Sequence, residues 1–92
     1  RRARQAMSGQ GTQIILYTHH GCADSRRVGE WLTERGVAFV ERTVTGDPDA
    51  AQELLTTGIF ATPLVMVGDK RVLGYRPQKL AAALVGTDAR SP

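Results

Sequence analysis

Cys22 is the single cysteine of this 92-residue chain, and it sits in a polar stretch, His19-His20-Gly21-Cys22-Ala23-Asp24-Ser25-Arg26-Arg27. A thiol attacks as its thiolate. A cysteine at the first turn of a helix is stabilised in that form by unpaired N–H groups and by the positive end of the helix dipole. Arg26 and Arg27, one turn on, add to that field, and Asp24 opposes it. The chemistry open to such a residue is attack on a sulfur, that is, thiol–disulfide exchange. The other common fate of a lone cysteine is burial as an inert small hydrophobe. That reading fits poorly, because Cys22 lies at a polar loop-to-helix junction and off the apolar stripe. Ser25 stands where a second cysteine would resolve a mixed disulfide, which a serine cannot do. Its hydroxyl either donates to the thiolate or serves the helix terminus. Adjacent residues of one short loop rarely aim at a single ion, so His19, His20 and Cys22 are not read as a metal site. The two histidines read instead as solvent-facing groups or as an acid near the thiol.

The elements that must position Cys22 follow from periodicity. Gln13–Thr18 is a short apolar, β-branched run typical of a strand covered on both faces. From Cys22 to Arg35 the apolar residues Val28, Trp31 and Leu32 recur at helical spacing, and Gly36 follows as a left-handed C′ residue. Trp31 reads as core or as a partner-facing ring. Val37–Val44 returns to strand. Asp47-Pro48-Asp49 starts a helix, with Asp47 as cap, Pro48 needing no N–H partner and Asp49 suiting the dipole. That helix carries Ala50, Ala51, Leu54 and Leu55 and stops at Gly58. Leu64–Val67 and Arg71–Leu73 form a hairpin around Gly68-Asp69-Lys70. Pro77 opens a last helix through Leu80, Ala81, Leu84 and Val85, ending at Gly86. The order β-α-β-α-β-β-α predicts a four-stranded mixed sheet with helices on both faces, an α/β fold. Ligands of such sheets gather outside the carboxyl ends of the parallel strands, where the Cys22 loop lies.

Composition removes several other classes. At this length folding buries roughly two thirds of the unfolded chain's surface, enough for one core and too little for two. One cysteine excludes an internal disulfide framework and a paired C-x-x-C zinc site, and it suits a reducing compartment. The 12 Lys and Arg exceed the 9 Asp and Glu by three, and Arg1, Arg2 and Arg4 account for that excess. The remainder is formally neutral, so the basic pI of about 9.6 gives little support to nucleic-acid binding. No apolar signal segment follows the opening arginines, and no apolar run approaches the roughly 18–20 residues of a membrane span. The chain is therefore expected to be a cytoplasmic monomer, with a disordered tail over residues 1–11, a domain over 12–86 and a C-terminal tail over 87–92.

Tyr17-Thr18-His19-His20-Gly21-Cys22-Ala23-Asp24-Ser25 after a strand, Ala61-Thr62-Pro63 before one and Gly74-Tyr75-Arg76-Pro77 before the last helix together resemble the glutaredoxin family of the thioredoxin-fold superfamily. The resemblance spans about Ile14 to Leu84 and carries the same element order. It implies that Cys22 is the nucleophile, that Ser25 takes the place of the resolving cysteine as in C-x-x-S monothiol members, and that Pro63 is a cis-proline facing the thiol. In that geometry the main chain of Thr62 is free to pair with an extended peptide or tripeptide thiol. His19, Thr62, Pro63, Tyr75 and Arg76 are then the residues expected to bind the thiol substrate. Glutathione-using members carry a lysine three residues before the nucleophile and Gly-Gly-x-Asp before the last helix. Here His19 and Leu73-Gly74-Tyr75-Arg76 occupy those places. Gly74-Tyr75-Arg76-Pro77 resembles instead the Gly-Phe-Arg-Pro of redoxins that feed electrons to bacterial ribonucleotide reductase, which keep two cysteines. Iron-sulfur carriers of the monothiol class show Cys-Gly-Phe-Ser, unlike Cys22-Ala23-Asp24-Ser25. The resemblance therefore implies a monothiol oxidoreductase acting on mixed disulfides between a protein and a small thiol. Glutathione or another low-molecular-weight thiol would be its co-substrate, with no tightly bound cofactor. The competing readings are a non-catalytic thioredoxin-fold adaptor and a cluster carrier.

Overall fold

The alternation of Ile14-Ile15-Leu16-Tyr17-Thr18 sends successive side chains to opposite faces of one strand, and both faces are covered. The structure is a computed structural model that describes residues 13–85. Its elements are β1 (Ile14–Thr18), α1 (Ala23–Glu34), β2 (Val40–Thr43), α2 (Pro48–Thr56), β3 (Leu64–Val67), β4 (Lys70–Leu73) and α3 (Pro77–Leu84). The strands lie in the order β2-β1-β3-β4, with β1 parallel to β2 and the other two pairs antiparallel. Ile14 and Leu16 pack against Val28, Trp31 and Leu32 of α1 and Leu80 and Ala83 of α3. Ile15 and Tyr17 pack on the other face around Leu54 of α2. This is the thioredoxin-like arrangement: a four-stranded mixed sheet with two helices on one face and one on the other. Each fully buried leucine of the core, such as Leu16 and Leu32, adds about 1.5–3 kcal/mol by leaving water.

Some boundaries differ from the periodicity, each for a local reason. β2 begins at Val40 and not at Val37, because the end of α1 takes the main chain of Val37. Gly36, at φ +68, lets the chain reverse there. The N–H of Gly36 donates to Thr33 O at 3.0 Å and that of Val37 to Leu32 O at 3.0 Å, a Schellman closure. Val37 is buried beside Leu32 and serves the helix end. At the hairpin, Lys70 pairs with Val67, so the turn is only Gly68-Asp69. Leu55, on the apolar side of α2 in the sequence, is 52% exposed, since the sheet is met by Ala50 and Leu54. Val85 caps α3 in an extended conformation and does not continue it. The tail boundaries at 1–11 and 87–92, and the expected helix end at Gly86, lie outside the described residues.

Candidate functional site

β1 ends beside β2, and the chain must turn sharply to start α1 above the sheet. Gly21 makes that turn at φ +78, where a Cβ would be strained. Cys22 follows in an extended conformation as the N-cap of α1. Its Sγ accepts the N–H of Ser25 at 3.4 Å, and the Arg26 N–H donates to the Cys22 carbonyl at 3.3 Å. The sulfur thus occupies the place usually held by a serine or aspartate oxygen at a helix start. When ionised it meets a directed N–H and the positive end of a 12-residue helix. Cys22 is half-buried, open enough for a second sulfur to reach it.

The neighbouring charges divide the work unevenly. Arg27 turns away to pair with Asp24 at 3.4 Å in an exposed contact, so the two largely satisfy each other and that pair adds little stability. Arg26 lines, with Cys22, a groove that opens at the thiol. Ser25 meets the sulfur through its main chain. Its side chain is 5% exposed and its hydroxyl has no hydrogen-bond partner. An unpaired buried hydroxyl costs about 1–3 kcal/mol.

The loops that the sequence marked out are tied together around this helix start. The His19 ring Nδ1 is hydrogen-bonded to Thr62 Oγ1, which fastens the Cys22 loop to the loop before β3. His20 donates its main-chain N–H to Thr45 Oγ1 at 3.1 Å, fastening the same loop to the turn between β2 and α2. The Thr62–Pro63 peptide bond is cis, and Pro63 is buried. The Pro63 carbonyl accepts the N–H of Gly74 at 2.8 Å, which carries Gly74-Tyr75-Arg76 to the same end of the sheet. Tyr75 is 37% exposed. Arg76 is an exposed N-cap of α3 whose side chain makes no capping bond. His19 is thus bonded to Thr62 and Pro63 to the Gly74 turn, and the Tyr75 and Arg76 side chains are exposed at that end of the sheet. Trp31 belongs to the core, with the Arg35 guanidinium 4.1 Å above its ring.

Two features escaped periodicity. The first is a groove running from Cys22 along α1 toward β2, walled by Arg26, Glu30 and Glu34 on one side and Glu41 on the other. Glu41 is set there by the register Leu16↔Glu41 and accepts from Thr18 Oγ1 at 2.9 Å. The spacing of Glu30 and Glu34 on the Cys22 face was visible in the helix pattern, but Glu41 had no sequence signal. The second is Arg42 of β2, which grips Glu53 of α2 with bonds of 3.0 and 2.6 Å and lies 3.9 Å from Asp47. Glu53 also accepts from the Tyr17 hydroxyl at 3.4 Å. Burial, and then the nearby Glu53 charge, push the Tyr17 phenol above its ordinary value. Among the described residues no group of three His, Cys, Asp or Glu side chains is placed to hold a metal ion, and no helix is long and apolar enough to cross a membrane.

Comparison with known proteins gives a consistent set of likenesses. A family model for glutaredoxin matches residues 14–72. The glutaredoxin-like protein NrdH of Salmonella typhimurium is 33% identical over 67 residues, covering 73% of this chain and 83% of that protein. A crystallised thioredoxin-like protein matches with a TM-score of 0.74 and 32% identity, over 78% of this chain and 100% of its own. The solved NrdH-redoxin of Escherichia coli, a glutaredoxin-like protein described with a thioredoxin-like activity profile, matches with a TM-score of 0.68 and 28% identity, over 76% of this chain and 92% of its own.

Proposed function

The chain belongs to the glutaredoxin family, and from that premise we propose that it is a thiol–disulfide oxidoreductase working through Cys22 alone, on mixed disulfides between a protein and a low-molecular-weight thiol. The observation that carries this is the placement of its one cysteine: Cys22 caps α1, with Sγ accepting the Ser25 N–H at 3.4 Å. In the first step the Cys22 thiolate attacks the small-thiol sulfur of the mixed disulfide. A Cys22–small-thiol disulfide forms, and the protein leaves as its thiolate. In the second step a further small-thiol thiolate attacks that adduct. The two small thiols leave as a disulfide and Cys22 is regenerated as thiolate. Ser25 cannot supply the second sulfur, so turnover borrows it from solution. Glutathione is one candidate for the small thiol. His19, Thr62, Pro63, Tyr75 and Arg76 are the residues proposed to hold it, at the end of the sheet where their loops are tied together.

The thioredoxin-like activity profile of the E. coli relative favours a second substrate class, disulfides between two protein cysteines. There too the single thiol would stop at a mixed disulfide until a second thiol released it. The test is turnover of a glutathionylated peptide with glutathione as the second thiol, followed by release of the free peptide. Turnover by the native chain and none by Cys22→Ser is expected. No turnover with any small thiol by a folded protein would favour a non-catalytic adaptor.

A further inference from the structure

We propose that the groove between α1 and β2 docks a cationic segment of the substrate protein, an extended stretch with Lys or Arg about four to six residues from its disulfide-bonded cysteine; this rests on the oxidoreductase reading of Cys22. The groove starts at the thiol and follows one helix face, since Cys22, Arg26, Glu30 and Glu34 recur every four residues, with Ser25, Gly29 and Thr33 as the row beside them. Its charge is one-sided. Glu30, Glu34 and Glu41 face it, and none of them forms an ion pair among the described residues, whose bridges use Asp24, Asp47 and Glu53. Among the described residues Arg26, close to the thiol, is the one lysine or arginine in the lining. The groove that begins at the nucleophile therefore carries carboxylates without ion-pair partners further along it, and a partner of opposite sign complements them.

A second, independent feature points to an extended peptide. Ser25 is among the residues lining this groove; it is 5% exposed, and its hydroxyl is buried with no hydrogen-bond partner among the described residues. Buried hydroxyls are nearly always bonded. On rotation about χ1 the Ser25 hydroxyl would reach a peptide main-chain N–H or carbonyl laid along the groove. Gly29 leaves the adjoining wall without a side chain, and a Cβ there would meet only Leu16 Cδ2 at 3.7 Å, so a main chain can approach closely. Among the described residues β2 is an edge strand, so no further strand of theirs closes that side. At a rise of ~1.5 Å per helical residue, Glu30 and Glu34 lie about 12 and 18 Å along the helix from Cys22. An extended chain covers those distances in about four and five to six residues.

The experiment uses three synthetic peptides, each with one cysteine in a mixed disulfide with glutathione, and with Lys, Gln or Glu at the fourth and sixth positions on both sides. The readout is the ratio of kcat/KM for the Lys peptide to that for the Glu peptide. In parallel, calorimetry measures binding of the S-methylated peptides to the Cys22→Ser protein, where no chemistry occurs. The ratio is expected at about five- to tenfold in low salt, to collapse toward one in Glu30→Gln/Glu34→Gln, and to shrink as salt rises. A ratio near one in the native chain, with turnover intact, overturns the groove and leaves the oxidoreductase reading standing. No turnover of any peptide, with the S-methylated Lys peptide still binding in a Glu30- and Glu34-dependent way, supports the groove and removes the oxidoreductase reading. A several-fold gain in Lys-peptide affinity when Arg1, Arg2 and Arg4 are changed to Gln would give the groove to the chain's own tail and overturn the assignment.

Discussion

Gly29→Ala tests the packing of α1 against the sheet with a change of one methyl. Gly29 sits inside the helix that presents Cys22, where glycine costs about 0.8–1.0 kcal/mol relative to alanine through backbone entropy. It is half-buried, and a Cβ built on it lies 3.7 Å from Leu16 Cδ2, an ordinary contact distance. No overpacking penalty arises at that distance, and the partly buried methyl adds a few tenths of a kcal/mol, given about 0.8 kcal/mol for a fully buried CH₂. The substitution should therefore stabilise the protein by about 1–1.5 kcal/mol. For a domain of this size that raises Tm by roughly 5–10 °C. The assay is a reversible thermal melt followed by far-ultraviolet circular dichroism, with a urea titration in which the midpoint rises and the slope m stays constant. An unchanged or lower Tm would refute the reasoning, because it would mean that Leu16 and α1 are packed too tightly for the methyl.

Further expectations follow from other contacts. Asp47 Oδ1 accepts the N–H groups of Asp49 and Ala50 at 3.1 and 3.2 Å, so Asp47→Ala should lower stability by about 1 kcal/mol in urea, with Asp47→Asn recovering most of it. The Tyr17 phenol is raised, so the folded protein holds that proton more tightly than the unfolded chain. Its contribution is complete below about pH 10, the unfolded value, and is lost as pH rises through the folded one. Tyr17→Phe should therefore show a shallower alkaline loss of stability, read as urea midpoints above pH 9, and an identical slope in both proteins would contradict this. In Ser25→Cys the new sulfur would sit one helical turn from Cys22, whose Sγ already meets the residue-25 N–H at 3.4 Å. That variant should form an internal disulfide, visible as a mass two units lower, and should discharge the small thiol from the Cys22 adduct without a second small thiol. Persistence of the small-thiol adduct at Cys22 would show that the two side chains do not meet.

The element order and the candidate nucleophile could be read from short stretches of residues. Period-two and period-3.6 patterns are local, and one cysteine at a helix start can only do one-thiol work, with Ser25 unable to resolve it. The caps at Asp47 and Gly36 were legible for the same reason, since each depends on a few neighbouring residues. What the tertiary structure decided is long-range. The bond between His19 and Thr62, the link from Pro63 to Gly74, and the placement of Glu41 across from Glu30 and Glu34 depend on strand register and helix packing between residues far apart in the chain. The two roles expected for the Ser25 hydroxyl also gave way to packing. A helix start positions its main-chain N–H at the sulfur, and the angle at which α1 lies on the sheet buries the hydroxyl beside the groove without a partner. Local pattern specifies which residues can react, and only the packed sheet specifies what surrounds them, because neighbours across strands are set by hydrogen-bond register that no short stretch of sequence encodes.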